Sequence, residues 1–290
     1  MRHGARKRFD VRRLLTRIDG KRVLRGVAGG GIALLLAVGG VALIVSPAHT
    51  PNVPDRFDPG MIIADDLFYD GDAMTADEIE AFLDARVPDP TRKSLRNFSE
   101  DTETRPADDY CDDFSGKKHH TAAEIIAQVG EACGISQRAL LVILQKETAL
   151  VGLREPESWR YDRAMGYACP DSGPNRSANC DEDFYGFANQ LYWGARQYQV
   201  YRQHPENFNY RPFKMNTIQY HPDRDRCGVS DVYIMNWATA GLYNYTPYQP
   251  NLSALAAGQG EGDECSTYGN RNFYDLYKAW FGDPHVVHQE

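Results

Sequence analysis

The 290-residue chain lacks several of the patterns by which common active sites are found in a sequence. None of its six cysteines lies in a C-x-x-C pair, which argues against structural zinc and redox motifs. Its eight histidines include no H-x-x-x-H pair, and no set of three metal ligands stands out. A G-x-S-x-G nucleophile motif is missing too. We therefore expect no metal and no other cofactor.

Positive charge is scarce after the first 25 residues. Those residues contain ten Lys and Arg against two Asp, which leaves 22 Lys and Arg against 38 Asp and Glu in the rest. An acidic body offers no electrostatic surface to nucleic acid. We expect no nucleic-acid partner.

The basic start of the chain precedes a long apolar run. Residues 26–45 carry no charged side chain, and about 20 such residues suffice to cross a bilayer as a helix. Basic flanks stay in the cytoplasm, so the acidic body would be exported. Two interpretations stay open: an uncleaved membrane anchor over residues 26–46, which the length favours, or a signal peptide cleaved after Ala48.

The cysteines agree with export, because all six follow the apolar run and their number is even. Pairing between sequence neighbours is the simplest of the possible connectivities. The expected disulfides are Cys111–Cys133, Cys169–Cys180 and Cys227–Cys265.

Composition and patterning predict a mainly α fold (α+β) with a small β element, stapled by disulfides. The predicted parts are a basic cytoplasmic segment (1–25), the apolar segment (26–46), a Pro-rich linker (47–60), an N-terminal helical subdomain or spacer (61–109), the main domain (110–284) and a tail (285–290).

Local signals place the elements of this body. Capping boxes begin helices at Thr75–Glu78 and Thr121–Glu124, and Gly134 would end the second helix. The other predicted elements are helices over 136–151, 185–201, 236–242, 251–257 and 273–281, and an extended hairpin within 207–233.

One acid lies on the apolar face of the helix that begins after Ser136. Leu140, Leu144, Glu147 and Val151 recur at helical spacing, so the Glu147 carboxylate would face the core or a cleft. Burial there would raise its pKa, as a general acid near neutral pH requires. The alternatives are that Glu147 pairs with Lys146 or Arg138, or that it is solvated.

Three short motifs follow one another along the chain. Glu147 precedes Thr148, the run Tyr185-Gly-Phe-Ala-Asn-Gln190 follows Ala164-Met-Gly-Tyr167, and Ala240-Gly-Leu-Tyr-Asn-Tyr245 comes last. This order resembles the lysozyme-like superfamily, particularly lytic transglycosylases and goose-type lysozymes. Residues 57–282 also resemble a family of exported actinobacterial proteins of that superfamily that is often labelled hemagglutinin. The resemblance implies a lysozyme-like fold and peptidoglycan as the partner.

The resemblance also implies roles for individual residues. Glu147 would be the general acid that protonates the glycosidic oxygen, and Tyr243 would orient its carboxylate. Asn244 and Gln190 would line the sugar cleft. Because residues 186–190 hold one residue more than the usual spacing, Asn189 is the alternative to Gln190. After Asn244 the chain has Tyr-Thr-Pro where the family has a glycine.

Aromatic side chains near these motifs are candidates for stacking on sugar rings. The predicted substrate-binding residues beside the motifs are Met165, Tyr167, Tyr185, Tyr245 and Tyr248.

Glycoside hydrolysis generally uses two carboxylates. The acids after Glu147 lie in a loop where the sequence cannot place them: Asp162, Asp171, Asp181, Glu182 and Asp183. A transglycosylase avoids the second carboxylate, because the hydroxyl of the sugar itself attacks. The sequence therefore predicts a peptidoglycan-cleaving enzyme, and the alternative is a wall-binding or adhesive module that keeps the fold without turnover.

Overall fold

The structure is a computed structural model, and it describes residues 57–170, 172–174 and 178–286. These residues fall within one unit of the chain, Pro51–Glu290. The basic segment, the apolar segment and most of the predicted linker lie outside the described residues, as do the last four residues. Across the described ranges, no helix has both the length and the apolar character needed to span a membrane.

The body is mainly helical with little β structure, as predicted. Its helices are α1 (Asp65–Phe68), α2 (Ala76–Arg86), α3 (Ala122–Cys133), α4 (Gln137–Thr148), α5 (Trp159–Asp162), α6 (Phe187–Gln203), α7 (Arg224–Cys227), α8 (Trp237–Tyr245), α9 (Leu252–Ala256) and α10 (Gly269–Phe281). Its strands are β1 (Ser99–Glu100), β2 (His120–Thr121), β3 (Lys214–Gln219) and β4 (Val229–Ile234).

Both predicted capping boxes are present. The Thr75 and Thr121 side chains accept from the backbone N–H three residues on, and Glu78 and Glu124 bond back to the cap N–H. Gly134 ends α3 in the left-handed conformation, at φ +60°. These signals depend on neighbouring residues only, so they could be predicted from the sequence.

Helix α4 passes through the core, and residues 139–144 have no exposed surface. It differs from the predicted amphipathic helix at both ends. Ser136 occupies the N-cap position, but its hydroxyl makes no capping hydrogen bond. The helix ends at Thr148 because Ala149 turns left-handed at φ +58°, so Val151 lies beyond it.

The hydrophobic core joins parts of the chain on both sides of residue 110. Ile79 and Leu83 of α2 belong to the same buried cluster as Ile125 of α3. Phe57 packs edge-on against Tyr274, so the last residues of the predicted linker contact the folded body. The predicted division into a subdomain and a main domain stays a prediction.

The predicted hairpin is confirmed as β3 and β4, which pair antiparallel with Met215 opposite Tyr233. The short helix α7 lies in the connection between them. Helix α8, which was predicted to end at residue 242, continues to Tyr245. Pro247 then follows, and the chain leaves the helix before it.

All three predicted disulfides are confirmed: Cys111–Cys133, Cys169–Cys180 and Cys227–Cys265. Disulfides persist in oxidising compartments and are rare in the cytosol. The bonding pattern therefore indicates an oxidising, extracytoplasmic environment.

Candidate active site

Glu147 lies at the end of α4, in a cavity of about 340 Å³ that we call the Glu147 cavity. Its side chain is 26% exposed, so it is at a cleft wall and not sealed in the core. Three aromatic side chains line the cavity with it: Trp159, Tyr245 and Tyr248. The helix thus delivers one carboxylate to an aromatic-lined opening.

The Glu147 carboxylate has a cationic partner. Lys146 Nζ donates to Glu147 Oε1. It also donates to Thr246 Oγ1 at 3.1 Å. The Lys146 side chain is only 5% exposed. Pairing with Lys146, one of the alternatives open from the sequence, is therefore what the structure contains.

Gly166 covers the other carboxylate oxygen. It has φ +70°, and a β-carbon built there would lie 3.4 Å from Glu147 Oε2. A left-handed glycine without a side chain lets the loop approach the acid closely. The sequence had pointed to this loop as one of the three motifs.

Gln190 holds the Gly166 loop and does not line the cavity. It is fully buried; its Oε1 accepts from the Met165 and Tyr167 N–H groups at 3.3 and 3.0 Å. Its Nε2 donates to the carbonyls of Tyr167 and Phe184 at 3.0 and 2.9 Å. All of these bonds go to the backbone, so the residue acts through the loop that it fixes.

Tyr245 is the tyrosine that lies beside Glu147. Its hydroxyl donates to the Met165 carbonyl at 2.8 Å. Burial and then the charge of Glu147 raise the pKa of Tyr245 well above its ordinary value. The ring stacks on Tyr198 with centroids 5.0 Å apart. The tyrosine is thus a neutral, fixed wall of the cavity.

Tyr243 lies elsewhere, contrary to the role implied by the resemblance. It is fully buried, and its hydroxyl donates its single proton to the Pro59 carbonyl at 3.0 Å. Because α8 continues through Tyr245, residues 243 and 245 project from different sides of one helix. The orientation of Glu147 therefore falls to Lys146 and not to Tyr243.

Asn244 also has a structural contact in place of the expected cleft position. Its amide accepts from the Tyr210 N–H at 3.0 Å and donates to the Tyr210 carbonyl at 2.8 Å. Both ends of the side chain are occupied by one residue of the adjacent loop. Asn244 therefore fixes that loop to α8.

Asn189 and Tyr185 line a second cavity, of about 540 Å³, which we call the Glu100 cavity. Asn189 Oδ1 accepts from Arg105 at 2.8 Å, and its amide donates to the carbonyls of Asp183 and Tyr185. The Arg105 guanidinium lies 5.7 Å from the ring centre of Trp193. Asn189 and Gln190, the two candidates for the position of the family's glutamine, therefore contact different parts of the molecule.

Glu100 lies at the wall of this second cavity and was not predicted from the sequence. It accepts from the Ala188 N–H at 2.7 Å, in the first turn of α6. Burial raises the pKa of Glu100, and the neighbouring charge of Asp162 raises it further. The segment 89–109 is polar and poorly patterned, and only the contact with α6, 88 residues away, reveals the acid.

The two cavities are linked by Arg163. Arg163 lines the Glu147 cavity and donates to the Tyr185 hydroxyl of the other cavity at 3.1 Å. None of the candidate second acids that the structure describes lines the Glu147 cavity: Asp183 lines the Glu100 cavity, and Asp181 caps a turn. Asp171 lies outside the described residues.

The remaining motif residues support the walls. Met165 is fully buried and contacts Gly194, so its side chain belongs to the core. Tyr167 is half-buried and packs edge-on against Phe184 at 5.1 Å. Within the ranges that the structure covers, no group of three or more acidic, His or Cys side chains is placed to hold a metal ion.

Comparison with known proteins adds no assignment to these observations. No family model, curated protein or solved structure matches the chain.

Proposed function

We propose that the protein cleaves the glycan strand of peptidoglycan, with Glu147 as the general acid on a lysozyme-like body. The observation that carries the proposal is the Glu147 cavity. Glu147 is the one carboxylate among the described residues that line it, and three aromatic rings line it with the acid. Such rings can stack on sugar faces, while a partly exposed acid can reach the bond between two sugars.

The reaction that needs one acid is transglycosylation within the substrate. Glu147 donates a proton to the oxygen between N-acetylmuramic acid and N-acetylglucosamine, and the C–O bond to the muramic carbon breaks. A hydroxyl of the muramic acid attacks that carbon and returns its proton to Glu147. The products are an anhydro-muramic end and a free N-acetylglucosamine end, with no water consumed. A hydrolase would need a second carboxylate as base or nucleophile.

Geometry supports substrate access from the aromatic side. Trp159 is 41% exposed at the cavity, and its indole N–H is directed to Glu157 at 2.9 Å. Tyr248 lines the same opening. The Arg160 guanidinium covers one face of the Trp159 ring, which leaves the other face for a sugar.

The alternative is a glycan-binding or adhesive module with the same cavity, and the Lys146 contact favours it. A carboxylate that is already paired with an ammonium is not free to meet the glycosidic oxygen, as a general acid must be. In the enzyme, substrate binding would have to displace this contact. In a binding module the ion pair would simply hold the wall of the cavity.

The proposed location is the cell envelope, outside the cytoplasmic membrane. The disulfides support an oxidising compartment, and the apolar segment 26–45 supports tethering with the N-terminus in the cytoplasm. Cleavage of that segment would give a secreted form.

The test is digestion of purified peptidoglycan by the full-length protein in detergent, with products read by mass spectrometry. Glu147→Gln preserves the shape of the side chain and removes its proton chemistry. Glu100→Gln is the matched control, since it changes the acid of the other cavity in the same way. We expect anhydro-muramic ends from the wild type and from Glu100→Gln, and none from Glu147→Gln.

Three other results have distinct meanings. Reducing muramic ends would show a hydrolase. Loss of products in Glu100→Gln alone would move the reaction to the other cavity. Glycan that is bound and never cleaved, by wild type and variants alike, would establish the binding module.

A further inference from the structure

The β3–β4 hairpin exposes an apolar patch on the surface of the body. Phe213, Met215, Tyr233 and Met235 are 54, 54, 51 and 39% exposed, respectively, and we call these four residues the hairpin patch. Met215 and Tyr233 are cross-strand partners, and Phe213 and Met235 lie just beyond the strands at the same end of the hairpin. Contiguous exposed apolar side chains commonly mark an interaction surface.

The backbone holds one member of the patch in an unfavourable conformation. Phe213 has φ +59°, a left-handed conformation that is unfavourable for a residue with a β-carbon. Its N–H donates to the Ile234 carbonyl at 2.7 Å, and its ring lies edge-on to Trp237 at 5.5 Å. These contacts fix an exposed aromatic ring at the edge of the hairpin, where burial gives it no compensation.

The chain enters the described body beside this patch. The Met235 N–H donates to the Gly60 carbonyl at 2.9 Å, and the Met235 methyl lies 3.4 Å from the position of a β-carbon on Gly60. Only 11 residues separate Val45, the last of the apolar segment, from Phe57. A chain of that length spans at most about 40 Å.

We propose that the hairpin patch rests in the interface of the bilayer to which the apolar segment anchors the chain. The inference depends on that anchor and is independent of the proposed catalysis. A few interfacial side chains bind lipid weakly on their own, but a short tether gives them a high effective concentration at the membrane. The aromatic and methionine side chains enter the headgroup region, and Lys214 on the same strand stays at its polar level.

The net charge of the chain indicates whether its contact with lipid is apolar or electrostatic. The exported part of the chain is strongly acidic, so an anionic membrane surface repels it. The contact is therefore apolar, and it persists in zwitterionic lipid and at high salt. An electrostatic contact would behave in the opposite way.

The test uses full-length protein in phosphatidylcholine vesicles whose acyl chains carry bromine, a quencher of tryptophan emission. Phe213→Trp places a reporter in the patch, and Tyr233→Trp is a second reporter should the first variant fold poorly. Lys118→Trp is the control, because Lys118 is 81% exposed and pairs with Asp101 away from the hairpin. We expect loss and blue shift of the added emission for both patch reporters, unchanged by salt, and neither effect for the control.

Equal quenching of the patch and control reporters would overturn the proposal, as would protein that does not float with the vesicles. A patch-dependent dimer in analytical ultracentrifugation, without quenching by lipid, would overturn it in favour of self-association. Because every readout is lipid contact or mass, the result does not depend on whether peptidoglycan is cleaved.

Discussion

The Glu147 cavity and the Glu100 cavity each contain an acid, but the two acids have opposite surroundings. Glu147 is partly exposed and contacts the buried ammonium of Lys146. Glu100 is half-buried against the first turn of α6, where its one hydrogen bond comes from the Ala188 N–H, and no ion pair to it exists among the described residues. The two cavities therefore differ in whether their acid has a cationic neighbour among the described residues.

The role of a motif residue is defined by its contacts more than by its spacing. Asn189 and Gln190 are adjacent in the sequence, yet one lines the Glu100 cavity and the other supports the Glu147 cavity. Consecutive helix positions project about 100° apart, so a one-residue shift sends a side chain to a different surface. Substitutions that affect one cavity alone can therefore separate the roles of the two.

The largest loss of stability and of glycan cleavage is expected from Gln190→Ala, because Gln190 holds the loop that lines the Glu147 cavity. Four backbone groups lose their partners, and we expect about 3 kcal/mol lower unfolding free energy. The Gly166 loop would then leave the acid, so glycan cleavage should be lost well below the unfolding temperature. Thermal unfolding and product release on peptidoglycan measure the two effects.

Gln199→Ala is the matched control on the same helix. Gln199 is 8% exposed, and its amide donates to the carbonyls of Cys133 and Gly134, away from both cavities. It should lose stability, by about 1–2 kcal/mol, and keep its activity. Equal loss of activity in both variants would show that Gln190 acts through global stability alone.

Features that depend on residues near one another in the sequence could be predicted, whereas features that depend on distant residues could not. The capping boxes, the hairpin and the three disulfides join residues no more than 38 positions apart, and each was predicted correctly. The contact between the Tyr243 hydroxyl and the Pro59 carbonyl could not be predicted, since it joins residues 184 positions apart.

Glu147 itself illustrates the same limit. Its placement at a cavity agrees with the helical spacing, whereas the Lys146 contact depends on Thr246, which lies 100 residues away and positions the ammonium. The catalytic assignment of Glu147 and the membrane anchor stay predictions. The sequence reveals where a carboxylate can lie, and the tertiary contacts decide which side chains surround it.

A smaller effect is expected from Gly166→Ala. The left-handed backbone costs alanine about 1 kcal/mol, and the new methyl group would lie 3.4 Å from the Glu147 carboxylate. We expect modest destabilisation and a strong loss of cleavage, because the methyl covers the acid. Gly228→Ala is the control: its φ is +78°, and nothing lies within 4 Å of the new β-carbon. If both variants kept full activity, the Gly166 approach would have no role in the reaction.

The smallest change in unfolding temperature is expected from Glu100→Gln. Whether that temperature rises or falls tests the contrast between the cavities. Burial raises the pKa of Glu100 in the folded protein above its unfolded value of about 4.3. The stability that this group contributes is full below that value and is lost as pH rises through the raised pKa. The amide keeps an acceptor for the Ala188 N–H and never becomes charged. We therefore expect a higher unfolding temperature than wild type at neutral pH, and a difference that shrinks toward pH about 4.

Glu124→Gln is expected to change the unfolding temperature in the opposite direction in the same experiment. The Lys117 ammonium and the Thr121 cap lower the pKa of Glu124 to about 2, so its contribution to stability is present at neutral pH and is lost as pH falls toward 2. This variant should therefore unfold at a lower temperature than wild type at neutral pH and converge with it in acid. Thermal unfolding across the pH range measures both variants. A lower unfolding temperature for Glu100→Gln at neutral pH would mean that Glu100 has a stabilising partner as Glu147 does, and the contrast between the two cavities would then disappear.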